Sequence, residues 1–308
     1  MQWSARGSAL LAALLTADAD VVCVQEMDHY HDFFRPAMET AGYSGCFRED
    51  EWSPCRKLSA GALKDGVAIF YKRDKLELMA METPFTPRAA KDAMPNAGKC
   101  LVVRLRVLPP RDALTHTAGS EHTAGSDTQT AGIERWSEYR CATEELVVAT
   151  LHLDSAKTEQ GAATRALQAF HALNAIAQFR LRSCTDPASA AVIVAGDLNA
   201  VPSEPAVAAF TESPSSSSSS GGVSYVSAYA THLGAEPPFT TWKVRTGTYK
   251  PGEAKMTIDY IFVSQGCAVE SVEMLDDETA IGRLGLPSEK HPSDHLMLRA
   301  SIRLPPVP

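Results

Sequence analysis

The sequence predicts an α/β protein, and two observations lead to that class. Short apolar runs rich in β-branched residues recur along the 308 residues, and segments with apolar residues at helical spacing lie between several of them. The composition is 44% apolar and 21% charged, which is typical of a soluble globular protein with a large core. No stretch contains 18 consecutive apolar residues, so we expect no membrane span.

Net charge limits the kind of ligand that the protein can bind, and cysteine content indicates the redox state of its compartment. A net charge of −8 argues against unassisted binding to long nucleic acid, but it allows a small phosphorylated ligand held by local cations and a metal. Seven scattered cysteines without a C-x-x-C pair indicate reduced thiols. We therefore expect an intracellular monomer in the cytoplasm, with mitochondria as the alternative compartment if the native N-terminus lies further upstream.

The first part of the chain is predicted to alternate helices with strands. Residues 4–16 place four leucines on one side of a helix, and a second helix, 29–40, begins after Asp28 as its cap and ends at Gly42. The predicted strands in this part are residues 21–25, 66–72, 76–81 and 100–108.

The second part continues the alternation around a long helix. That helix spans 161–182 and carries Phe170, Leu173, Ala177 and Leu181 at helical spacing; a short helix after residue 200 is capped by Ser203. The predicted strands are residues 145–153, 191–195, 257–264, 268–275 and an alternating terminal strand over 296–304.

Two low-complexity segments interrupt the pattern. Residues 110–138 include HTAGS at 116–120 and again at 122–126, and residues 213–222 are almost entirely serine and glycine. Such compositions do not bury enough apolar surface to order themselves, and strand-like segments resume after each of them. We therefore expect residues 1–308 to form a single catalytic domain with two insertions.

The most informative stretch is AAVIVAGDLNAVPSE, residues 190–204. A buried strand ends there, and Asp197 and Asn199 follow, two residues apart, so that an extended backbone would present both side chains on one face. Ligands of open α/β sheets bind at the carboxyl ends of strands. The alternative is a G-D-x-N turn without a functional role.

Other acidic and imidazole residues repeat this placement beside strands. They are Glu26, His152, Asp259, Asp294 and His295. Each has a simple alternative explanation as a helix cap, a core histidine or a turn residue. Taken together, oxygen ligands without a Cys/His cluster favour Mg²⁺ over Zn²⁺, and a metal with a His–Asp pair suits phosphoester hydrolysis.

Five motifs in order, VCVQEMD, HLDSAK, AGDLNAVPSE, TIDYIFVS and HPSDHLML, resemble those of the endonuclease/exonuclease/phosphatase superfamily. The resemblance implies a deoxyribonuclease-I-like fold, a four-layer α/β sandwich of two stacked mixed sheets flanked by helices. QEMDHYHDFF, WSPC and EPPFTTWKVRTG are closest to the branch that contains nocturnin and the carbon-catabolite-repressor-type deadenylases.

The resemblance also implies roles for the candidate residues. Glu26 would be the principal Mg²⁺ ligand, with Mn²⁺ as an alternative metal, and Asp294 would complete the metal side. Asp197 would orient or activate the attacking water, while Asn199 and His152 would contact the phosphate. His295 would stabilise the transition state, and Asp259 would fix the tautomer of His295. The substrate-binding candidates are Lys157, Phe239 and Trp242; the two aromatic rings have core packing as their alternative.

The chain departs from that family at three places. The family's first strand, which carries an Asn that supports the metal, is missing before residue 3, so we expect either a truncated sequence or a substitute residue. Asp154 stands where a family lysine would follow the histidine, and Lys157 is the nearest replacement. Asp50 stands where another lysine would precede WSPC, with Arg48 nearby.

The sequence therefore favours a Mg²⁺-dependent phosphatase acting on a nucleotide, such as the 2′-phosphate of NADP(H). The alternative is a 3′–5′ exoribonuclease or poly(A) deadenylase acting on an RNA 3′ end. A third hypothesis is a binding module without catalytic activity.

The first testable prediction concerns the longer insertion. Deleting Thr115–Gly132 should leave the melting temperature nearly unchanged, because loop-closure entropy varies slowly with loop length. Differential scanning calorimetry of the deletion variant measures this, and a large loss of stability would show that the repeat is packed.

Overall fold

A computed structural model describes residues 3–50, 53, 55, 64–84, 99–109, 145–212, 223–245 and 252–306. Both predicted insertions, 110–138 and 213–222, lie outside the described residues. Trp52 and Pro54 of the WSPC motif also lie outside them.

Every helix and strand that the sequence predicts has a counterpart in the described residues. The structure adds strands at 43–49, 225–227, 241–245 and 252–256 and helices at 228–233 and 278–281. The helices are α1 (Trp3–Ala17), α2 (Arg35–Thr40, preceded by a π-helical turn over Tyr30–Phe34), α3 (Glu159–Ser183), α4 (Pro205–Thr211), α5 (Ala228–Leu233) and α6 (Glu278–Ile281). The strands of the first half are β1 (Val21–Val24), β2 (Tyr43–Glu49), β3 (Gly66–Lys72), β4 (Leu76–Glu82), β5 (Lys99–Val107) and β6 (Glu145–His152). Those of the second half are β7 (Ala191–Asp197), β8 (Tyr225–Ser227), β9 (Thr241–Arg245), β10 (Gly252–Met256), β11 (Asp259–Ser264), β12 (Ala268–Val272) and β13 (Ala300–Arg303). None of the described helices has the length and apolarity needed to cross a bilayer.

Two sheets form the centre of the fold. The larger has the strand order β4-β5-β6-β7-β11-β8, in which β6 and β7 are parallel, and the smaller has the order β1-β3-β2. Their facing surfaces share one apolar core, to which β3 contributes Val67 and Ile69 and the large sheet contributes Val103 and Val148. All four of these side chains are completely buried.

Helices cover the outer face of each sheet. Ala169, Ile176 and Phe179 of α3, with residues of α4, pack on the large sheet. The leucines of α1 and the aromatic residues of the segment before α2 pack on the small sheet around Phe70. The order of layers is therefore helix, sheet, sheet, helix, which confirms the four-layer fold class.

The face that α3 buries agrees with the sequence prediction only in part, because Ala177 is buried and Leu173 packs against the core but the other two predicted residues do not. Phe170 and Leu181 are 59% and 43% exposed, whereas Ile176 and Phe179 are buried. Besides Ile176 and Phe179, the buried residues of α3 are three alanines, 169, 172 and 177, together with Gly161, Arg165 and Gln168. The prediction fails at Phe170 and Leu181 because the helix turns its alanines, rather than these two large residues, toward the sheet.

Three local predictions were wrong. The predicted second helix has His29, not Asp28, at its N-cap, and α4 has Glu204, not Ser203, at that position; neither side chain accepts a capping hydrogen bond from the backbone of its helix. The terminal strand covers only Ala300–Arg303, because the backbone N–H of Leu296 instead donates to the carbonyl of Thr240.

The observed burial of α3 predicts that truncating its two phenylalanines will lower the free energy of unfolding by unequal amounts. Phe179→Ala should lower the free energy of unfolding by about 3–5 kcal/mol, because it leaves a cavity against the sheet. Phe170→Ala, the matched control, should change it by less than about 1 kcal/mol. Urea unfolding curves measure both, and equal losses would contradict the burial pattern.

Candidate functional site

One transverse row of the large sheet carries several of the candidate residues. Lys99 of β5 pairs with His152 of β6, His152 pairs with Asp197 of β7, and Asp197 pairs with Asp259 of β11. Residues that pair directly across neighbouring strands project on the same face. Four side chains that are distant in sequence therefore meet at one edge of the sheet.

Asp197 and Asn199 lie together, as predicted, but a turn rather than an extended strand brings them together. Asn199 has a left-handed backbone with φ of 53°, and its N–H donates to Asp197 Oδ1 at 2.7 Å. Its side-chain amide donates to the carbonyl of Leu153 at 3.2 Å and to Asp197 Oδ2 at 3.3 Å. Burial, followed by the charge of Asp259, raises the pKa of Asp197 to about 7.

His152 lies between two carboxylates. Its Nε2 is 3.7 Å from Glu26 Oε1 and 3.8 Å from Asp197 Oδ2. Its buried Nδ1 has no hydrogen-bond partner among the residues that the structure describes. Burial, followed by the charge of Lys99, lowers the pKa of His152 to about 4, so this imidazole is neutral at pH 7.

His295 and Asp259 form the predicted pair. His295 Nδ1 is 2.9 Å from Asp259 Oδ2, and the Thr240 hydroxyl donates to the same oxygen at 2.5 Å. Burial opposes protonation of His295, but the hydrogen bond and charge of Asp259, with the charge of Asp197, raise its pKa to about 9. At pH 7 the pair is therefore an imidazolium held by a carboxylate.

Glu26 lies at the end of β1 in a conformation that is unfavourable for its residue type. Its φ is 52°, in the left-handed region that glutamate rarely adopts. Reciprocal backbone hydrogen bonds between Met27 and Gly66, both 3.0 Å, anchor the next residue to β3. The Glu26 side chain is 72% exposed, so its carboxylate is accessible to ligands from solvent.

Asp294 is adjacent to His295 but already has a cation. Its Oδ2 is 2.7 Å from Lys243 Nζ, and the Thr241 hydroxyl donates to its carbonyl at 2.7 Å. Although burial opposes this, Lys243 holds the pKa of Asp294 below its ordinary value. The predicted role of Asp294 on the metal side stays a prediction.

The three substrate-binding candidates fall in two places. Lys157 Nζ donates to the backbone and side-chain oxygens of Asn199 at 3.0 and 3.2 Å, so its charge lies beside the site. Phe239 and Trp242 are buried in an apolar cluster with Leu286, and Lys255 covers the Trp242 ring at 4.2 Å. Packing accounts for both rings, and a contact with a base stays a prediction.

The donor set fits a divalent cation. Carboxylate oxygens of Asp197 and Asp259 and a ring nitrogen of His295 lie within 4.8 Å of one another, and Glu26 Oε1 is 3.7 Å from His152 Nε2. The carboxylates are the donors of this set at pH 7, because a protonated imidazole has no free lone pair. Two neighbouring carboxylates in a buried setting repel each other, which raises the pKa of Asp197 and which a cation would relieve. Carboxylate and amide oxygens are the ligands that Mg²⁺ and Mn²⁺ prefer.

Sequence reasoning missed Lys99 as a residue of this site. Its Nζ is 3.1 Å from Asp65 Oδ2 and 3.2 Å from Asp50 Oδ2, and its pairing with His152 brings this charged cluster next to the imidazole. Lys99 is the first residue of an apolar strand, and a lysine in that position normally indicates that the end of the strand is exposed to solvent. Only the strand register, which is not a local feature of sequence, reveals this neighbour.

Comparison with known proteins gives concordant matches. A sequence profile described as "Endonuclease/Exonuclease/phosphatase family" matches residues 1–295. Nocturnin of Mus musculus is 29% identical over 303 residues, which cover 97% of this chain and 58% of that protein. This chain therefore spans little more than half the length of that curated relative.

Two further matches come from a relative and a solved structure. The "CCR4-Not complex 3′-5′-exoribonuclease subunit Ccr4" of Debaryomyces hansenii is 37% identical over 81 residues, 26% of this chain and 10% of that protein. The structure of ANGEL2, a 2′,3′-cyclic phosphatase, in complex with adenosine-2′,3′-vanadate, aligns with a TM-score of 0.65 at 21% identity. That alignment covers 98% of this chain and 87% of the ANGEL2 chain.

The His295–Asp259 geometry predicts a measurable change in pKa. In the metal-free protein, Asp259→Asn should lower the pKa of His295 from about 9 by roughly two units or more, because burial then acts without the neighbouring charge. Two-dimensional NMR of the imidazole C–H groups follows the titration. His291, whose partner is Asp276 at 2.8 Å, is the internal control. A His295 pKa that does not move would contradict the pairing.

Proposed function

This chain belongs to the endonuclease/exonuclease/phosphatase family, and on that premise we propose that it is a divalent-metal-dependent hydrolase of nucleotide phosphoesters. The observation that carries the proposal is the cluster of Asp197, Asp259 and His295. Asp197 ends β7 and pairs with Asp259, which begins β11, and His152 lies next to them. Similarity to nocturnin over 97% of the chain supports the branch that the motifs predicted. We propose the 2′-phosphate of NADP(H) as the favoured substrate.

Glu26 and Asp197 would hold the cation, with Asn199 beside them, and we propose Mg²⁺ as the physiological ion. When bound, the ion neutralises charge on the phosphate and lowers the pKa of a coordinated water. The accessible carboxylate of Glu26 suits the recruitment of an ion from solvent, and the buried carboxylate of Asp197 suits its precise placement.

Asp197 and His295 suit opposite roles in proton transfer and charge stabilisation. The Asp197 carboxylate can orient an attacking water and accept its proton; its pKa of about 7 is that of the metal-free site, and a bound cation would lower it. A protonated His295, held by Asp259, can donate a hydrogen bond to a phosphate oxygen as negative charge develops. The Thr240 hydroxyl and the His295 ring both bind Asp259, which fixes the orientation of the imidazole.

His152 and Lys157 would bind the phosphate before reaction. A neutral His152 retains one N–H donor and adds no charge that would compete with the cation. Lys157 lies beside Asn199 and brings a positive charge to a chain whose net charge is −8. These two residues would thus orient the phosphate, whereas Asp197 and His295 would take part in the chemical step.

The 3′–5′ exoribonuclease hypothesis is the second candidate. The specific observation in its favour is the 37% identity to the Ccr4 exoribonuclease subunit, although that match covers only 26% of this chain. The acidic net charge disfavours a long polyanion and so favours the smaller substrate.

One assay separates these functions. The purified protein is incubated with Mg²⁺ and either NADPH or oligo(A), and released phosphate and AMP are measured. The phosphatase proposal predicts phosphate from NADPH without AMP from oligo(A). AMP from oligo(A) would establish the exoribonuclease instead, and no product from either would favour the inactive binding module.

The metal assignment predicts the behaviour of Glu26→Gln, which keeps the shape of the side chain and removes its charge. Turnover at saturating Mg²⁺ should fall about 100-fold or more, and Mg²⁺ affinity measured by calorimetry should fall with it. Glu270→Gln, an exposed change on β12 away from the site, is the matched control. Unchanged turnover in Glu26→Gln would show that Glu26 is not a ligand.

A further inference from the structure

Arg165 is a buried charged residue on α3 that the reaction outlined above does not use. It is 2% exposed, although α3 otherwise buries mainly small and apolar residues against the sheet. Arginine is rarely buried unless it is paired and fully hydrogen-bonded. Its contacts therefore identify what it holds in place.

One side of the guanidinium holds the loop that joins β6 to α3. Arg165 Nη1 donates to the carbonyl of Ala156 at 2.7 Å and to that of Asp154 at 3.3 Å. Gln168, one turn further along α3, accepts a hydrogen bond from the backbone N–H of Asp154 at 2.8 Å. Residues 154–156 are thus tied to the first three turns of the helix.

The other side of the guanidinium holds the loop that follows β7. Nε and Nη2 of Arg165 donate to Glu204 Oε2 at 3.1 and 2.5 Å. The second oxygen of Glu204 accepts from the backbone N–H of Val201 at 3.2 Å. Arg165 therefore links the loop before Lys157 to the loop after Asn199.

Lys157 reaches across the space between these two loops. It follows Ala156 directly, and its Nζ ends on the two oxygens of Asn199, which belongs to the second loop. Four rotatable bonds leave a lysine ammonium poorly localised unless both its backbone and its target are fixed. Arg165 is bonded to groups on both sides of this contact.

We propose that Arg165 is a positioning residue that sets the location of the Lys157 ammonium for binding the substrate phosphate. The inference deepens the proposed function, because it assumes that Lys157 contacts that phosphate. A buried ion pair gives little net stability, since desolvation offsets the attraction, but it imposes a defined geometry on the groups that it joins. The forked guanidinium is needed because it bonds both loops at once, which an ammonium does less well.

A double-mutant cycle tests the proposal. Arg165→Lys keeps the charge and loses the fork, and it should raise KM for the hydrolysed substrate about 10-fold with a smaller change in kcat. Lys157→Met should raise KM by at least as much. In the Lys157→Met background, Arg165→Lys should cause no further increase, because the group that it positions is already absent.

Control variants separate positioning from general damage. Arg182→Lys, on the same helix but paired with Glu82 at the surface, should leave KM unchanged. If Arg165→Lys fails to fold, Glu204→Gln weakens the same link from the other loop and replaces it in the cycle. An equal rise in KM with and without Lys157 would overturn the inference, as would a normal KM in Arg165→Lys.

A binding measurement distinguishes failure of this inference from failure of the proposed function. Calorimetric titration with inorganic phosphate needs no turnover. The Kd for phosphate is measured for the unmodified protein, for Arg165→Lys, for Lys157→Met and for the double variant. Absence of any turnover in the unmodified protein would overturn the proposed function, while the phosphate cycle would still decide the role of Arg165. Unchanged phosphate binding in Lys157→Met would overturn the role of both residues.

Discussion

The register of four neighbouring strands is the constraint on which the rest of the site depends. Lys99, His152, Asp197 and Asp259 come from β5, β6, β7 and β11, and they meet only because each is paired directly with the next. A slip of one residue in any of these pairings would turn that strand's side chain to the opposite face. Packing specifies the register, because both faces of these strands are buried and the same slip would exchange the side chains that pack between the two sheets with those that pack under α3.

Different charged neighbours give the two imidazoles of this site opposite protonation states. The pKa of His152 falls to about 4 and that of His295 rises to about 9, although both are imidazoles in one site. Burial, followed by the charge of Lys99, lowers the pKa of His152, whereas the hydrogen bond and charge of Asp259 outweigh burial at His295. Such a divergence is typical of sites that perform acid–base chemistry, and it follows from where the strands place each ring.

The sequence predicts the strand-end residues well and their surroundings poorly. Asp197, His152 and Asp259 were identifiable because short apolar runs mark where strands end, and the motifs around them indicate the four-layer fold. Lys99 and Arg165 were missed, since one begins an apolar strand and the other lies inside a helix, where a charged residue normally faces solvent. Their roles depend on non-local pairing. The left-handed backbone of Asn199 and the buried face of α3 were likewise decided by tertiary packing.

The central claim is that this row of the sheet, with Glu26, binds the catalytic cation. Anomalous scattering from crystals grown with Mn²⁺ tests it most directly, because the ion itself is located without reference to activity. We predict an anomalous peak between the carboxylates of Glu26 and Asp197, close to His152. A peak confined to other residues, or no peak at a Mn²⁺ concentration that supports turnover, would contradict the account.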